Sequence, residues 1–283
     1  MDRIAYVDGA FVPFADAKIP VTDRGFLFAD GIYEVSAVLD GKLVDNEGHL
    51  TRLDRSLREI RIANPHTLPE WVALQKQLIE RNALREGVVY IQVTRGAAER
   101  DFGFPAAGTK PTVVMFTQVK KLADSPLARS GAKVVSVPDI RWERRDIKSV
   151  ALLAQVLAKQ AAAEAGAAEA WMVQDGLVTE GGSSSAFIIT RDGTIRTRPL
   201  SHDILPGITR RSVMALAKET GLKIEERAFS IDETKQAAEA FITSASSFVT
   251  PVVAIDGTTI GDGKPGKHTQ RLRELYLATA REA

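Results

Sequence analysis

Two residues have side chains that a catalytic site could use. Lys148 ends the charged run DIRWERRDIKS, residues 139–149, and an apolar stretch follows it at once. Glu180 lies in VTEGGSSSAF, between an extended run and a row of glycines and serines. A lysine amine can hold an aldehyde, and a carboxylate can keep a heterocyclic nitrogen protonated. Taken alone, Lys148 is an ordinary surface charge and Glu180 an exposed acid at a strand end.

Three small polar loops in the second half of the chain supply candidate phosphate donors. They are the GGSSS run after Glu180, residues 207–209 in ILPGITRR, and Ser244 with Ser246 in ITSASS. A helix start such as the one predicted at 207–209 has unpaired N–H groups and a dipole that favours an anion. Each loop alone is weak evidence, because small polar residues are common in loops. With a lysine and a carboxylate, the set suggests pyridoxal 5′-phosphate (PLP).

Other motifs point less clearly to chemistry. GDGKPGKHT, residues 261–269, nearly matches the phosphate loop GxxxxGK[ST], but His268 stands at the hydroxyl position, which favours a plain connection. The serines of GGSSSAF do not form the nucleophile elbow GxSxG. The four histidines, His49, His66, His202 and His268, are scattered, so we expect no metal site and interpret each as a surface or capping residue.

Turn and helix signals indicate short elements of both kinds. Asp8-Gly9 and Asp40-Gly41 predict tight hairpins. Residues 49–62 carry leucines and isoleucine at spacings of three and four, which predicts an amphipathic helix. An alanine-rich run predicts a helix from about residue 150 to 164, and SIDE, residues 230–233, has the serine and glutamate of a capping box.

These elements predict a mixed α+β or α/β fold of two domains. The strands and helices alternate without a strict βαβ rhythm, which argues against a doubly wound sheet. We expect a smaller N-terminal domain over residues 1–119 and a linker over the polar, irregular residues 120–132. Residues 133–283 would form a larger C-terminal domain that binds PLP, with the active site between the domains.

Composition indicates an ordinary soluble, intracellular protein. The chain has 283 residues, 45% hydrophobic and 26% charged, with a net charge of +1. This balance gives no basic field for nucleic acid or an anionic membrane. The lack of cysteine excludes disulfides and thiolate chemistry and fits a cytoplasmic location. We expect no signal peptide and no membrane-spanning segment.

Six segments together resemble the fold-type IV PLP aminotransferases, and within them the enzymes that act on D-amino acids. They are DRGFLFADGIYEV, HLTRL, YIQVTRGAAERDFGFP, DIRWERRDIKSVALLAQVLAKQ, VTEGGSSSAF and ILPGITR. The resemblance extends from about Tyr6 to the final helix.

The resemblance implies roles for residues that bind PLP. Lys148 would be the Schiff-base lysine and the proton shuttle, and Glu180 would pair with the pyridine nitrogen. Arg52 would clamp the phosphate. The other residues implied to touch the cofactor are Ser183, Leu205, Gly207, Ile208, Thr209, Ser244 and Ala245.

The resemblance also implies how the substrate binds. Tyr33 and Arg100 would hold the α-carboxylate, with Arg100 reaching in from the neighbouring subunit of a homodimer. Phe102 stands where D-amino acid aminotransferases have a histidine, and phenylalanine donates no hydrogen bond. Such a charge-assisted bond is worth about 1.5–3 kcal/mol. Ala245 also replaces a usual hydroxyl, and Ser185 a usual asparagine.

The implied function is transamination between a D-amino acid, such as D-alanine or D-glutamate, and a 2-oxo acid, 2-oxoglutarate or pyruvate. The alternatives are an (R)-selective primary amine transaminase and, further off, a branched-chain aminotransferase or aminodeoxychorismate lyase. An alternative from another class is a non-enzymatic anion- or nucleotide-binding protein built around residues 261–269.

Overall fold

Two units make up the chain, and each is built on its own β-sheet. The computed structural model describes residues 3–282. Unit 1 comprises residues 3–121 and 147–151, and unit 2 comprises residues 122–146 and 152–282. The predicted mixed α+β fold is confirmed, with two sheets and eight helices in the described part of the chain. None of the helices in residues 3–282 is long and apolar enough to cross a membrane.

Unit 1 has a six-stranded antiparallel sheet in the order β2-β1-β6-β5-β3-β4. Its strands are β1 (Ile4–Val7), β2 (Ala10–Pro13), β3 (Gly31–Leu39), β4 (Lys42–Leu43), β5 (Gly87–Thr94) and β6 (Thr112–Val119). Its helices are α1 (Arg24–Phe28), α2 (Asn46–Glu59) and α3 (Leu68–Arg81). Leu50, Leu53 and Leu57 of α2 are buried against the sheet, which confirms the predicted amphipathic helix.

The two predicted hairpins are confirmed. Asp8-Gly9 joins β1 to β2, and Asp40-Gly41 joins β3 to β4. Both residues of each turn have positive φ, from 47° to 101°. This backbone matches the twist of the paired strands and explains the Asp-Gly sequence, since glycine enters that region without strain.

Unit 2 has a mixed sheet in the order β12-β11-β10-β13-β14-β7-β8-β9, with β15 on β14. Its strands are β7 (Ala132–Pro138), β8 (Glu169–Gln174), β9 (Leu177–Gly181), β10 (Ser185–Ile189), β11 (Ile195–Thr197), β12 (Ile224–Glu226), β13 (Glu239–Ser244), β14 (Phe248–Ile255) and β15 (Thr258–Thr259). Its helices are α4 (Pro126–Ser130), α5 (Leu153–Glu164), α6 (Ile208–Glu219), α7 (Ile231–Gln236) and α8 (Lys267–Glu282). The predicted capping box starts α7, where Ser230 and Glu233 bond each other's backbone.

The alanine-rich helix begins later than predicted. Helix α5 starts at Leu153, whereas the sequence predicted a start near Val150. The backbone before it is committed to β3, because Val150 N donates to Gly31 O at 3.0 Å and Ser149 forms a bridge with Ile32. Residues 147–151 therefore form an extended addition to unit 1.

Candidate active site

Lys148 is fixed by its backbone beside Tyr33. Tyr33 N donates to Lys148 O at 2.9 Å, and Lys148 N donates to Ser56 Oγ at 3.3 Å. Lys148 Nζ lies 4.2 Å from the centre of the Tyr33 ring, a favourable position for an ammonium group. Unit 1 thus brings together the predicted catalytic lysine and one predicted substrate-binding residue.

Arg52 lies in a buried charged cluster with Glu34 and His49. Its Nε and Nη2 donate to the two oxygens of Glu34, at 2.6 and 3.0 Å. His49 Nδ1 lies 2.9 Å from Glu34 Oε2. Glu34 is fully buried and His49 is 2% exposed, so the prediction that His49 is a surface or capping residue is wrong. The reason is pairing with an acid 15 residues away, which no local pattern indicates.

Arg52 decides the charge state of this cluster. Burial alone would raise the pKa of Glu34, but the Arg52 charge and the hydrogen bonds from His49 and Arg52 hold that pKa well below its ordinary value. Burial also lowers the pKa of His49, against the pull of Glu34. Glu34 is therefore a carboxylate that fixes the Arg52 guanidinium in place.

Arg100 and Phe102 lie together in the loop after β5. The Arg100 guanidinium carbon is 5.3 Å from the Phe28 ring centre and 5.5 Å from that of Phe102. Arg24 holds the loop by donating to Asp101 O at 2.7 Å. Phe102 is 79% exposed. Within the described residues of unit 1, neither Arg100 nor Phe102 makes a hydrogen bond or ring contact with the predicted lysine or with its neighbouring tyrosine.

Glu180 lies on β9 in unit 2 with its carboxylate held in place. Arg141 Nη1 donates to Oε1 at 2.5 Å, and Leu205 N donates to Oε1 at 3.1 Å and to Oε2 at 3.3 Å. The Glu180 side chain is 7% exposed. The predicted neighbours Glu180 and Leu205 are therefore brought together, and Arg141 is a partner that sequence reasoning missed.

Ser183 belongs to a turn organised by another acid, Glu169. Ser183 and Ser184 both donate to Glu169 Oε2 at 3.0 Å, and Lys159 Nζ lies 3.2 Å from Oε1. Glu169 is 3% exposed. The buried Glu169 carboxylate thus fixes the GGSSS turn. The Ser183 hydroxyl already donates a hydrogen bond to it.

The predicted start of α6 has the features of an anion site. Gly207 is its N-cap, and no side chain caps the helix. Thr209 Oγ1 is buried without a hydrogen-bond partner in the described part of the chain. A Cβ on Gly207 would lie 2.7 Å from Ser185 Oγ, so glycine is needed for this approach. Helix α6 packs against β13, whose last residue is Ser244.

The serine turn after β13 is held by the last helix. Phe248 is fully buried with φ of 56°, a left-handed conformation that bulky residues rarely adopt. Arg273 donates to Ser247 O at 3.1 Å and Val249 O at 2.6 Å, the carbonyls on either side. It also donates to Leu122 O at 2.5 Å. Helix α8 thereby fixes the backbone on either side of Phe248, and the hydroxyl oxygen of Ser247 lies 2.7 Å from that of Ser244.

The connection formed by residues 261–269 donates hydrogen bonds to the carboxylate of Glu239. Glu239 accepts from His268 N at 3.1 Å, from Thr269 N at 2.9 Å and from Thr269 Oγ1 at 2.8 Å. The N–H groups of His268 and Thr269 are therefore occupied by Glu239, as expected of a structural connection. The nucleotide-binding alternative loses these two donors.

Gly266→Ala tests this packing. A Cβ there would lie 2.0 Å from Glu239 Cδ, so we expect the free energy of unfolding to fall by about 1–3 kcal/mol, as in overpacked cores. Urea denaturation measures this, with Gly103→Ala as the matched control, because its Cβ meets nothing closer than 3.9 Å. Equal stability of the two variants would contradict the arrangement.

The fold and these sites define a class of protein. Residues 31–255 match the family described as Amino-transferase class IV, so the chain belongs to the class IV aminotransferases. The predicted membership of the fold-type IV family is confirmed.

Individual relatives give a more specific comparison than the family match. The D-alanine aminotransferase of Staphylococcus aureus (strain N315) is 41% identical over 278 residues, covering 98% of this chain and 97% of that protein. The D-alanine aminotransferase of Bacillus licheniformis is 40% identical over 266 residues, covering 94% and 93%. A branched-chain amino acid aminotransferase of T.th., solved with pyridoxamine 5′-phosphate, has a TM-score of 0.89 at 27% identity, covering 100% of this chain and 96% of that chain.

Proposed function

We propose that the protein is a PLP-dependent aminotransferase that moves an amino group between a D-amino acid and a 2-oxo acid. The identity of 40–41% with D-alanine aminotransferases, over nearly the full length of both chains, carries this proposal. D-alanine or D-glutamate is the proposed donor, and 2-oxoglutarate or pyruvate the acceptor.

The donor groups of the two units fit PLP. A phosphate matches the uncapped start of α6, where Thr209 Oγ1 is buried without a partner among the described residues. Glu180 supplies a carboxylate whose direction is fixed by Arg141 and Leu205 N. Lys148 supplies the amine. Bound PLP supplies an aldehyde carbon that receives the amino group and a ring that accepts electrons from the substrate's Cα.

The individual roles follow from the resemblance to the fold-type IV aminotransferases. The Lys148 amine would hold the cofactor's aldehyde carbon, and Glu180 would keep the ring nitrogen protonated. Arg52 would bind the phosphate with the α6 start and the serine turn, that is, with Gly207, Ile208, Thr209, Ser244 and Ala245. Leu205 would lie against the ring, and Ser183 would lie close to it.

Lys148 also moves the proton that decides the stereochemistry. With substrate bound, the free amine at Nζ would take the Cα proton and would return it two atoms along, at the carbon of the cofactor's aldehyde group. Its backbone is fixed on two sides, which limits the directions from which Nζ can reach the substrate. The enantiomer accepted is then the one whose Cα proton points toward Nζ.

The substrate carboxylate is the proposed ligand of Tyr33 and Arg100. Arg100 is exposed and makes no hydrogen bond with Tyr33 in the described part of unit 1, which supports a role in a second copy's site. We therefore propose a homodimer with the site residues drawn from both units. The cytoplasmic location stays a prediction from the cysteine-free sequence.

Phe102 favours the (R)-amine transaminase as second candidate. Its exposed ring beside Arg100 offers apolar surface and no hydrogen-bond donor. A substrate without a carboxylate would lose less binding free energy beside Phe102 than beside a histidine, because Phe102 offers no hydrogen bond that the carboxylate would have accepted.

A half-reaction separates these functions. The yellow PLP-loaded protein is mixed in turn with D-alanine, L-alanine, L-leucine and an (R)-arylalkylamine, and the loss of its visible absorption is followed. We expect D-alanine to react fastest, as the likeness to D-alanine aminotransferases implies. L-alanine should be inert, because its Cα proton would point away from Nζ when its carboxylate binds in the same place. Faster reaction of the (R)-amine or of L-leucine would replace the proposed substrate class, and a colourless protein that takes up no PLP would reject the cofactor.

A further inference from the structure

A buried arginine in unit 2 stands between two carboxylates. Arg141 Nη1 donates to Glu180 Oε1 at 2.5 Å, while Arg141 Nη2 and Nε donate to the two oxygens of Asp139 at 2.7 and 2.9 Å. The side chains of Asp139 and Arg141 are 0% and 5% exposed. Paired hydrogen bonds of this kind, buried from water, fix the direction of the guanidinium group as well as its charge.

Asp139 is itself anchored to the strand that carries Glu180. Thr179 Oγ1, one residue before Glu180 on β9, donates to Asp139 Oδ2 at 2.6 Å. Asp139 N donates to Val173 O of β8 at 2.8 Å. The chain Asp139–Arg141–Glu180 therefore begins and ends on the same sheet, so the guanidinium has little freedom to turn.

Charge favours the same arrangement. Burial alone would raise the pKa of Asp139, but the hydrogen bonds and charge of Arg141 hold it below its ordinary value. Burial would lower the pKa of Arg141, and its two carboxylate partners raise it. Both groups thus stay ionised in a buried setting.

Three further charged residues, Arg145, Arg198 and Asp203, lie near this chain. Arg145 Nη1 is 3.5 Å from Asp139 Oδ2 and 4.0 Å from Asp203 Oδ1, and Arg198 pairs with Asp203 at 2.8 Å. Arg145 is as deeply buried as Arg141 and donates to Gln174 Oε1 at 2.5 Å. Arg145 therefore provides a comparison, a buried arginine of the same segment that pairs with Asp139 but stands one step further from Glu180, so its loss should have the smaller effect.

We propose that Arg141 is a positioning residue for the reaction, which holds Glu180 as an oriented carboxylate toward the cofactor's ring nitrogen, and that Asp139 holds Arg141 in turn. This rests on the proposed function. Without Arg141 the Glu180 carboxylate would lose the charge-assisted hydrogen bond that fixes its direction. The ring nitrogen would then hold its proton less firmly, and electrons from Cα would be accepted less well.

The test uses the PLP-loaded protein and the variants Arg141→Gln, Asp139→Asn and Arg145→Gln. With PLP labelled with ¹⁵N in the ring, the nitrogen chemical shift reports whether that nitrogen carries a proton. We expect the wild type and R145Q to show a protonated nitrogen, and R141Q and D139N to move toward the unprotonated value. For R141Q we expect kcat to fall by about 10–100-fold with a smaller change in KM, the usual size for the loss of an outer partner of a reactive group.

Stability is followed in parallel, because a buried arginine also affects folding. If R141Q does not fold, Arg141→Lys keeps the buried charge but cannot bond both carboxylates, and we expect an intermediate nitrogen shift. An unchanged shift and kcat in a folded Arg141 variant would overturn the proposal, and so would an equal loss in R145Q. Failure of the wild type to bind PLP would reject the proposed function instead.

Discussion

Lys148→Ala is expected to lower the turnover of D-alanine by more than about 10³-fold while the protein stays folded. The variant loses both the amine that holds the cofactor and the group that moves the proton, and general base catalysis alone contributes about 10²–10⁴-fold. In unit 1 the described contact of Nζ is the face of the Tyr33 ring, worth about 0.5–1 kcal/mol. The measurements are pyruvate formation from D-alanine with 2-oxoglutarate and the midpoint of thermal unfolding.

The control for this variant is Lys218→Ala. Lys218 is an exposed lysine in the last turn of α6, and its loss should leave turnover unchanged. An added primary amine such as methylamine should restore part of the activity of the Lys148 variant, since it can carry the same proton. Full activity of the folded Lys148→Ala protein would reject the catalytic scheme.

Glu34→Gln should cost about 3–5 kcal/mol of the free energy of unfolding. The change leaves the Arg52 guanidinium buried beside a neutral amide, and breaking a buried ion pair from one side has this cost. It also removes the carboxylate that orients Arg52, the residue proposed to bind the PLP phosphate, so the affinity for PLP should fall as well. Urea denaturation of the cofactor-free protein measures the first effect, and titration with PLP the second.

The pH dependence of stability gives an independent check. The pKa of Glu34 is lower in the folded protein than its unfolded value of about 4.3. Its contribution is therefore complete above about pH 4.3 and is lost as pH falls toward the folded pKa. The free energy of unfolding of the Glu34→Gln variant should therefore fall less as the pH is lowered.

The control is Asp54→Asn, which breaks the exposed pair with Arg58. It should lower the free energy of unfolding by less than about 1 kcal/mol. An equal loss of stability in both variants would contradict the interpretation of Glu34–Arg52 as a buried ion pair.

Local patterns predicted the elements that position the site. The Asp-Gly turns, the leucine spacing of α2 and the serine–glutamate box of α7 all act over four residues or fewer, so sequence is sufficient for them. A capping box of the same kind, formed by Thr67 and Glu70, starts α3. The spacing of these two residues in the sequence would have been enough to predict it. Family likeness, rather than periodicity, selected Arg52 and Tyr33.

The partners that hold the reactive groups were not predictable in this way. Glu34 meets Arg52 across 18 residues, and Arg141 meets Glu180 across 39. Such pairs depend on which elements become neighbours, and an isolated Glu in a strand or Arg in a helix or loop resembles any solvated charge. The start of α5 was mispredicted for the same reason, since Ser149 and Val150 pair with a strand more than 100 residues earlier.

The bonds of Arg273 set an order of events during synthesis. They join carbonyls 26 and 151 residues earlier in the chain, at Ser247 and Leu122. Until α8 has left the ribosome, a growing chain lacks the hydrogen bonds that hold the turn at Phe248. Unit 1 likewise gains residues 147–151 only after part of unit 2 has been made. Both units thus receive their last contacts late in synthesis.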